Sequence, residues 1–430
     1  MSRPGSRPDE EGVPQHGDPG GQLSAVSSAH NATLSPETRL LSAFRKDTNA
    51  RRAYLAGREY YSEEGKTFEL RLVKKIKQQL SADPTLRPEY PSSLGLTEFT
   101  RRATEAALGK SSRAIVENRV LGVQTPGFTA AVRLGAELLL RHWDDVCDGP
   151  VYLSCPCDES LVCIFQAAGF QDIREYYYWD DRQRGVCVEK LLQDLEKAPE
   201  QSVVVLSASA HCPTGADLAK NQWTVITKVI MRRRLFPFLL LPTQALCYGD
   251  LERDAWPVQH FASQGIELLC AQSFSHCFGL YGEAVGHLLC VLKHNSRLLS
   301  VRSQADKIVK ALWAQPAVGG AQVVATVLSN PAHRVEWKEE VKRIVTRCKL
   351  IREVLREKLR LLGTPGCWDH LTQQGGLYCF TGLNSDQLEF LSKRRHVYLL
   401  PSGCLNVSAI NGGNVDYISE SIHLALATSL

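Results

Sequence analysis

Short, wholly apolar segments alternate with amphipathic segments along the chain from about residue 66 onward. PVYLSCP, SVVVLSAS, FPFLLL and IELLCAQSF are typical of buried strands, whereas AAVRLGAELLLRHW and TVITKVIMRRRL have the spacing of amphipathic helices. Strands that are apolar on both sides need helices on both faces of their sheet. The sequence therefore predicts an α/β fold with a parallel or mixed sheet. The charged segment VEWKEEVKRIVTRCKLIREVLREKLRLLG predicts a long helix that leads into a second, smaller lobe.

Length, charge and the N-terminal composition exclude several classes of protein. A chain of 430 residues suits two domains, or one large domain with a lobe. No apolar run approaches the roughly 20 residues that cross a bilayer, and a net charge of +4 gives no argument for nucleic-acid or membrane binding. Residues 1–38 are rich in Gly, Pro, Ser and charge, which predicts a disordered extension. Because this extension has no apolar stretch and carries acidic residues, we expect a cytoplasmic protein.

The fourteen cysteines are scattered along the chain and are expected to be reduced. Cys155 and Cys157 form the only close pair, and they have no partner at zinc-finger spacing. We therefore predict no metal at this pair.

In folds of this kind ligands bind at the loops that follow the carboxyl ends of strands. Those loops carry a family resemblance through EYPSSLGLTEF, ENRVLGVQTPGFTAAVRLGAELL, AHCPTG, GDLERDAW, AQSFSHCFGLYGEAVG and VYLLPSG. From about residue 41 to the end, the chain resembles the fold-type I aspartate aminotransferases that use pyridoxal phosphate, within a divergent part of their cytosolic branch. The resemblance implies a large mixed-sheet domain (67–343), a smaller α/β domain (39–66 and 344–430) and a homodimer with active sites at the subunit interface.

The residues that the resemblance assigns to the chemistry are replaced. Aminotransferases begin with a lysine amine that forms an imine with the pyridoxal aldehyde, and His276 stands at that position. Leu240 replaces the aspartate that keeps the pyridine nitrogen protonated, and Thr243 replaces the tyrosine that bonds the ring oxygen. An imidazole moves protons but forms no stable imine. We therefore assign a catalytic role to none of these residues.

The substrate pocket has changed in a similar way. The resemblance implies tryptophan, asparagine and arginine at the positions of Asp158, Cys212 and Cys404, and an arginine donated across the dimer at Lys310. A thiol cannot replace the bidentate guanidinium that holds a carboxylate. These four residues are therefore remnants of a substrate pocket.

The phosphate cradle is partly kept. The resemblance places Tyr90, Gly127, Thr129, Ser273 and Ser275 around the cofactor phosphate, with Tyr90 lent across the dimer. These residues also have a simpler interpretation as turn geometry and dimer packing. In addition, Phe128 replaces a glycine and Ala284 replaces the phosphate arginine.

The losses together predict that pyridoxal phosphate, the cofactor implied by resemblance, does not bind tightly. One missing aspartate and two missing arginines remove up to about 5–9 kcal/mol, since a charge-assisted hydrogen bond contributes about 1.5–3 kcal/mol. The expected function is a catalytically inactive relative with a binding or dimerisation role. The alternative is an aspartate:2-oxoglutarate aminotransferase of low activity, or another amino-acid-converting enzyme.

Several alternatives stay open at the level of sequence. The chain is expected to form a homodimer, or a mixed dimer with an active aminotransferase to which it lends Tyr90 and Lys310. His276 is either a new general base or a residue that fills the space left by lysine. Cys212 and Cys404 either form a thiol site with His276 and its neighbours or are small neutral side chains left in a pocket that no longer binds substrate.

Overall fold

The computed structural model describes residues 35–67, 69–142 and 149–427. The predicted extension over residues 1–38 lies almost wholly outside these residues. A helix begins at Pro36, two residues before the predicted end of the extension, and Ser35 caps it by accepting the Thr38 N–H at 3.2 Å. No described helix is both long and apolar enough to cross a membrane.

The strands among the described residues are β1 (Ala53–Tyr54), β2 (Val120–Pro126), β3 (Val151–Cys155), β4 (Ile173–Tyr177), β5 (Trp179–Asp180), β6 (Gly185–Val186), β7 (Val203–Ser207), β8 (Phe236–Leu241), β9 (Leu268–Ser273), β10 (Val285–Val291), β11 (Tyr378–Phe380), β12 (Val397–Tyr398) and β13 (Cys404–Asn406).

The helices are α1 (Pro36–Lys46), α2 (Arg71–Ser81), α3 (Thr97–Leu108), α4 (Arg113–Val116), α5 (Phe128–His142), α6 (Glu159–Ala168), α7 (Val188–Lys197), α8 (Lys220–Arg232), α9 (Leu251–Asp254), α10 (Trp256–Ser263), α11 (Ser275–Phe278), α12 (Leu298–Leu312), α13 (Gly319–Ser329), α14 (Pro331–Leu361), α15 (His370–Gln373), α16 (Ser385–Arg394) and α17 (Val415–Ala427). Short 3-10 turns lie at Tyr281–Glu283, Asn295–Arg297 and Val407–Ala409.

A seven-stranded mixed sheet forms the centre of the molecule, in the order β2-β10-β9-β8-β7-β3-β4. Strands β3, β4, β7, β8 and β9 are parallel, and β10 runs antiparallel to both of its neighbours. The predicted α/β fold with a mixed sheet is confirmed.

Burial of both sheet faces follows from the apolar strands. Along β8, Phe238 and Leu240 belong to one apolar cluster, whereas Leu239 and Leu241 belong to a second cluster. Side chains alternate between the faces of a strand, so the two clusters are the cores on opposite faces of the sheet. Because β7, β8 and β9 are parallel, the loops that follow them meet at one edge.

The two ends of the described chain come together beside this edge. Strand β1 pairs in parallel with β12, and β11 pairs antiparallel with β13. The predicted long helix is observed as α14, which buries one stripe of its 31 residues, including Trp337, Val341 and Leu355. These elements place residues from both ends of the chain over the carboxyl ends of the central strands.

Candidate functional site

His276 lies at the edge of the sheet where β9 ends, as the second residue of α11. Its ring stands edge-on to Tyr281, with the ring centroids 5.7 Å apart. Its Nδ1 atom is buried and has no hydrogen-bond partner among the described residues. Burial lowers the pKa of this imidazole, although the Arg58 carbonyl group opposes the shift. The ring is therefore neutral at pH 7.

Leu240 belongs to the apolar core rather than to a polar site. It is 4% exposed and lies in the same cluster as Phe238. Its backbone pairs with Ser207 on β7 and with Ala271 on β9. Thr243, two residues beyond β8, is also buried. The carboxyl end of β8 therefore presents an apolar side chain and a neutral hydroxyl.

Cys212 follows β7, and Cys404 is the first residue of β13. Burial raises the pKa of the Cys212 thiol to about 12. Burial also raises the pKa of Cys404 far above its usual range, with a further contribution from Cys212, so the two thiols are neighbours. Cys404 packs against Trp179 and Phe380 in a small apolar cluster. Both thiols are therefore neutral, and neither has the character of a reactive thiolate.

Asp158 has a structural role at the start of α6. Its Oδ1 accepts the Ser160 N–H at 2.9 Å and caps the helix. Its neighbour Cys157 is half-buried, and burial raises the pKa of that thiol to about 12. Within the part of the chain that the structure describes, no group of three or more His, Cys, Asp or Glu side chains could hold a metal ion.

His211 connects two of the loops at this edge. Its Nε2 bonds Ser154 at the end of β3, and its Nδ1 bonds Thr214, both at 2.8 Å. The ring also stacks on Tyr178 with centroids 3.9 Å apart. Burial lowers the pKa of His211 to about 3, so this residue is a neutral structural link.

Three of the five cradle residues converge where β2, β9 and β10 meet. Ser273 pairs with Gly286 on β10, and Gly286 pairs with β2 two residues before Gly127. The Ser273 hydroxyl accepts the Ser275 N–H at 3.3 Å, and the Ser275 hydroxyl accepts the Val285 N–H at 3.2 Å. Each serine oxygen therefore supports the backbone, and within the described part of the chain neither hydroxyl donates a hydrogen bond.

Thr129 and Ala284 flank this group. Thr129 is exposed in the first turn of α5. A side-chain carbon at Gly127 would lie 3.4 Å from the Ala284 methyl group, so Ala284 faces Gly127 without any charge.

Tyr90 and Lys310 lie on the surface, away from His276. The Tyr90 residue is 89% exposed, and the Lys310 side chain is 62% exposed and forms an ion pair with Asp306 at 2.8 Å. The Ser93 hydroxyl donates to the same aspartate, which ties the loop of Tyr90 to the helix of Lys310. Neither residue forms a hydrogen bond, ion pair or ring contact with His276 among the described residues.

A segment that the sequence analysis missed crosses above His276. We call residues 57–61 the strap. The buried Asn406 amide donates to two strap carbonyl groups at 2.9 and 2.6 Å. The Tyr378 hydroxyl donates to the Arg58 carbonyl at 3.3 Å, and a strap N–H donates to the Tyr281 hydroxyl at 2.9 Å. The strap is therefore fixed both to β13 and to the turn beside His276.

Arg58 places a cation beside His276, at the edge of the sheet where β9 ends. Its Nη2 donates to Glu37 of α1 at 2.6 Å, and its charge affects the pKa of Cys212, Tyr378 and His276. In the sequence, the one feature that could have pointed to Arg58 is its position directly after the apolar segment AYLAG.

Residues 55–422 match the family model of the class I and II aminotransferases, and the chain belongs to this family. The chain is 44% identical to the chicken (Gallus gallus) cytoplasmic aspartate aminotransferase over 390 residues, which cover 90% of this chain and 95% of the relative. It is 38% identical to the human (Homo sapiens) "Putative aspartate aminotransferase, cytoplasmic 2" over 390 residues, 91% of each chain.

Solved structures give the same result. The aromatic-amino-acid aminotransferase of Burkholderia pseudomallei, solved covalently bound to pyridoxal phosphate, matches with a TM-score of 0.89 at 30% identity over 94% of this chain and 100% of that chain. The cytoplasmic aspartate aminotransferase of Saccharomyces cerevisiae matches with a TM-score of 0.88 at 29% identity over 93% of this chain and 97% of that chain. The predicted family and its fold are confirmed.

The described residues do not fit a covalently held pyridoxal phosphate. Covalent attachment requires a primary amine, and His276 offers a neutral imidazole with an unpartnered buried nitrogen. The apolar Leu240 offers no charge to a pyridine nitrogen, and Ala284 offers none to a phosphate.

Proposed function

We propose that this chain is a catalytically inactive member of the aminotransferase family that acts as a binding or dimerisation scaffold. The observation that carries this proposal is the neutral imidazole of His276 at the end of β9, buried beside Tyr281. The apolar surroundings of Leu240 and Cys404 support it, since both the cofactor ring and a substrate carboxylate need charged partners.

The test is retention of pyridoxal phosphate by purified protein. After incubation and gel filtration, we expect the same low visible absorbance for the wild type and for His276→Ala. His276→Lys is the matched variant that restores an amine, and it should retain more cofactor than the wild type. Stoichiometric retention by the wild type that His276→Ala abolishes would contradict the proposal.

A second candidate function is an aspartate:2-oxoglutarate aminotransferase of low activity, or another amino-acid-converting enzyme. It is favoured by the convergence of Gly127, Ser273 and Ser275, because the hydroxyl groups of the two serines are free to donate to a phosphate. This function would need pyridoxal phosphate held without a covalent bond and an amine from solution. Glutamate formation from aspartate and 2-oxoglutarate that requires added cofactor and falls in Ser275→Ala would favour it over the scaffold.

The assembly and location belong to the same proposal. We propose a cytoplasmic homodimer in which residues 67–343 form the large domain, and residues 39–66 and 344–430 the small one. A mixed dimer with an active aminotransferase is the alternative, and the exposure of Tyr90 and Lys310 on the surface supports it. Co-expression with a differently tagged cytoplasmic aspartate aminotransferase separates these cases. A 1:1 co-purified pair supports the mixed dimer, and a strictly self-paired chain excludes it.

A further inference from the structure

Arg184 occupies an unusual position at the end of the hairpin formed by β5 and β6. Its guanidinium lies over the Trp368 ring, 5.0 Å from the centroid, and its Nη1 donates to the Thr381 carbonyl at 3.3 Å. Cys367 and then Asp181 influence its pKa through their charge, but the Asp181 side chain accepts the Trp179 indole N–H at 2.9 Å. Among the described residues, the guanidinium has no ion-pair partner.

This arrangement is costly for a cation. The Arg184 side chain is half-buried, and burial lowers its pKa. A partly desolvated charge without a counter-ion destabilises a protein unless something neutralises it. One edge of the guanidinium is used by the Thr381 carbonyl, which leaves the other donors for an oxyanion.

Two glycines lie beside the guanidinium. Gly366 and Gly382 flank it, and side-chain carbons built at these positions would approach Arg184 atoms at 3.7 and 3.8 Å. Both glycines have positive φ angles, +90° and +70°, that other residues rarely adopt. The backbone therefore keeps larger side chains away from the guanidinium on both sides.

An independent observation comes from His370. This residue is 5% exposed, and neither of its ring nitrogens has a hydrogen-bond partner among the described residues. Its ring lies 5.7 Å from that of Trp368. Burial and then the charge of Arg184 lower its pKa to about 4, so the neutral ring retains one N–H donor. The Cys367 and Phe380 carbonyl groups lie near enough to oppose this fall in pKa, but neither makes a hydrogen bond of good geometry with the ring. The N–H of His370 therefore lacks a well-formed hydrogen bond, and it lies close enough to Arg184 for the charge of that residue to affect the pKa of the ring.

We propose that Arg184, Trp368 and His370 form a binding site for a small oxyanion, either a phosphate or a carboxylate. The guanidinium supplies a fork that binds two oxygens together, Trp368 forms one wall, and His370 supplies a further donor. Trp179 lies between this site and Cys404, since it contacts His370 and also packs in one cluster with Cys404. A bound anion would tie the β5–β6 hairpin to residues 366–382.

The test is an anion titration of the purified full chain at constant ionic strength, with sodium chloride as the balancing salt. Inorganic phosphate and acetate are the two probes, read by tryptophan emission and by the unfolding temperature. We expect a saturable response to at least one probe. A response to phosphate alone assigns a phosphate ligand, and a response to acetate alone assigns a carboxylate.

Four variants decide whether the response belongs to this site. Arg184→Gln should weaken binding by roughly tenfold or more, the loss of one charge-assisted contact, and Arg184→Lys should weaken it less. Arg182→Gln removes an exposed charge from the same hairpin and should leave binding unchanged. Ser275→Ala tests the cradle at β9 separately, because a phosphate response that this variant lowers and Arg184→Gln does not lower would belong to the cradle and would overturn the assignment to Arg184.

The absence of a saturable response to both probes in the wild type would overturn the proposal. An undiminished response in Arg184→Gln, with far-ultraviolet circular dichroism showing that this variant is folded, would overturn it as well. If Arg184→Gln does not fold, an undiminished response in Arg184→Lys has the same consequence, because lysine lacks the fork.

Discussion

Replacing Leu240 by aspartate would place a carboxylate in the apolar core beside β8. The side chain is 4% exposed and packs in the same cluster as Phe238. Removing a buried leucine side chain costs about 2–5 kcal/mol, and an unpaired buried charge adds several kcal/mol unless it binds a proton. We expect a total loss of about 4–7 kcal/mol in the free energy of unfolding at pH 8, a large part of the roughly 5–15 kcal/mol of a typical protein.

The pH dependence makes this prediction specific to charge. Burial would raise the pKa of the new carboxyl group in the folded state above its unfolded value of about 3.9. Its protonated form is then the tolerated one, so stability is retained at low pH and lost as the pH rises through the folded pKa. The matched control is Leu240→Asn, which has nearly the same shape and does not titrate.

Urea unfolding of both variants at pH 6 and pH 8 measures the difference. Leu240→Asp should lose stability relative to Leu240→Asn as the pH rises, by up to about 1.4 kcal/mol per pH unit. Equal stability of the two variants at pH 8 would refute the reasoning, because it would mean that this position accommodates a charge.

Three further predictions concern groups around the same edge. Asp158→Ala should lower the free energy of unfolding in urea by about 1 kcal/mol, because the cap of α6 on the Ser160 N–H is lost. Asp158→Asn should cost less, and equal losses in the two variants would argue against capping. Burial raises the pKa of Asp254 to about 7, so its contribution to stability is lost as the pH rises from about 4 to 7. Asp254→Asn should flatten this slope, and an unchanged slope would exclude Asp254 as its source. A side-chain carbon at Gly375 would lie 2.1 Å from the Cys247 sulfur, so Gly375→Ala should lower the unfolding temperature. Adding Cys247→Ala to this variant should partly restore the unfolding temperature, and additive losses in the double variant would contradict the contact.

The sequence predicted the elements that have a strong apolar pattern, either a wholly buried strand or a long helix with one buried stripe. FPFLLL is observed as β8 with the same bounds, and the long helix predicted at residues 335–363 is observed as α14. Strand β4 was missed because most of its residues are not buried, so it lacks the apolar signal of a central strand. Strands β1 and β12 have only two residues each and gain their pairing from residues far apart in the chain.

The candidate site was predictable in its residue types but not in its electrostatics. The sequence alone shows that residue 276 has no amine and that residue 404 has no guanidinium. It does not show that the imidazole is neutral, because that depends on burial near Tyr281 and Arg58. The strap was missed for the same reason, since its hydrogen bonds come from Asn406 and Tyr378, more than three hundred residues away.

The separation between the strap and its anchor has a consequence during synthesis. Asn406 lies 349 residues after Gly57, the first strap residue that it binds. At a translation rate of about 5–20 residues per second, the ribosome takes roughly 17–70 s to make the anchor after the strap has been made. During this interval the strap has no access to that partner, although the hydroxyl groups of Tyr281 and Tyr378, to which it also bonds, are made earlier. Any version of the chain that ends before residue 406 would lack both hydrogen bonds from this anchor to the strap.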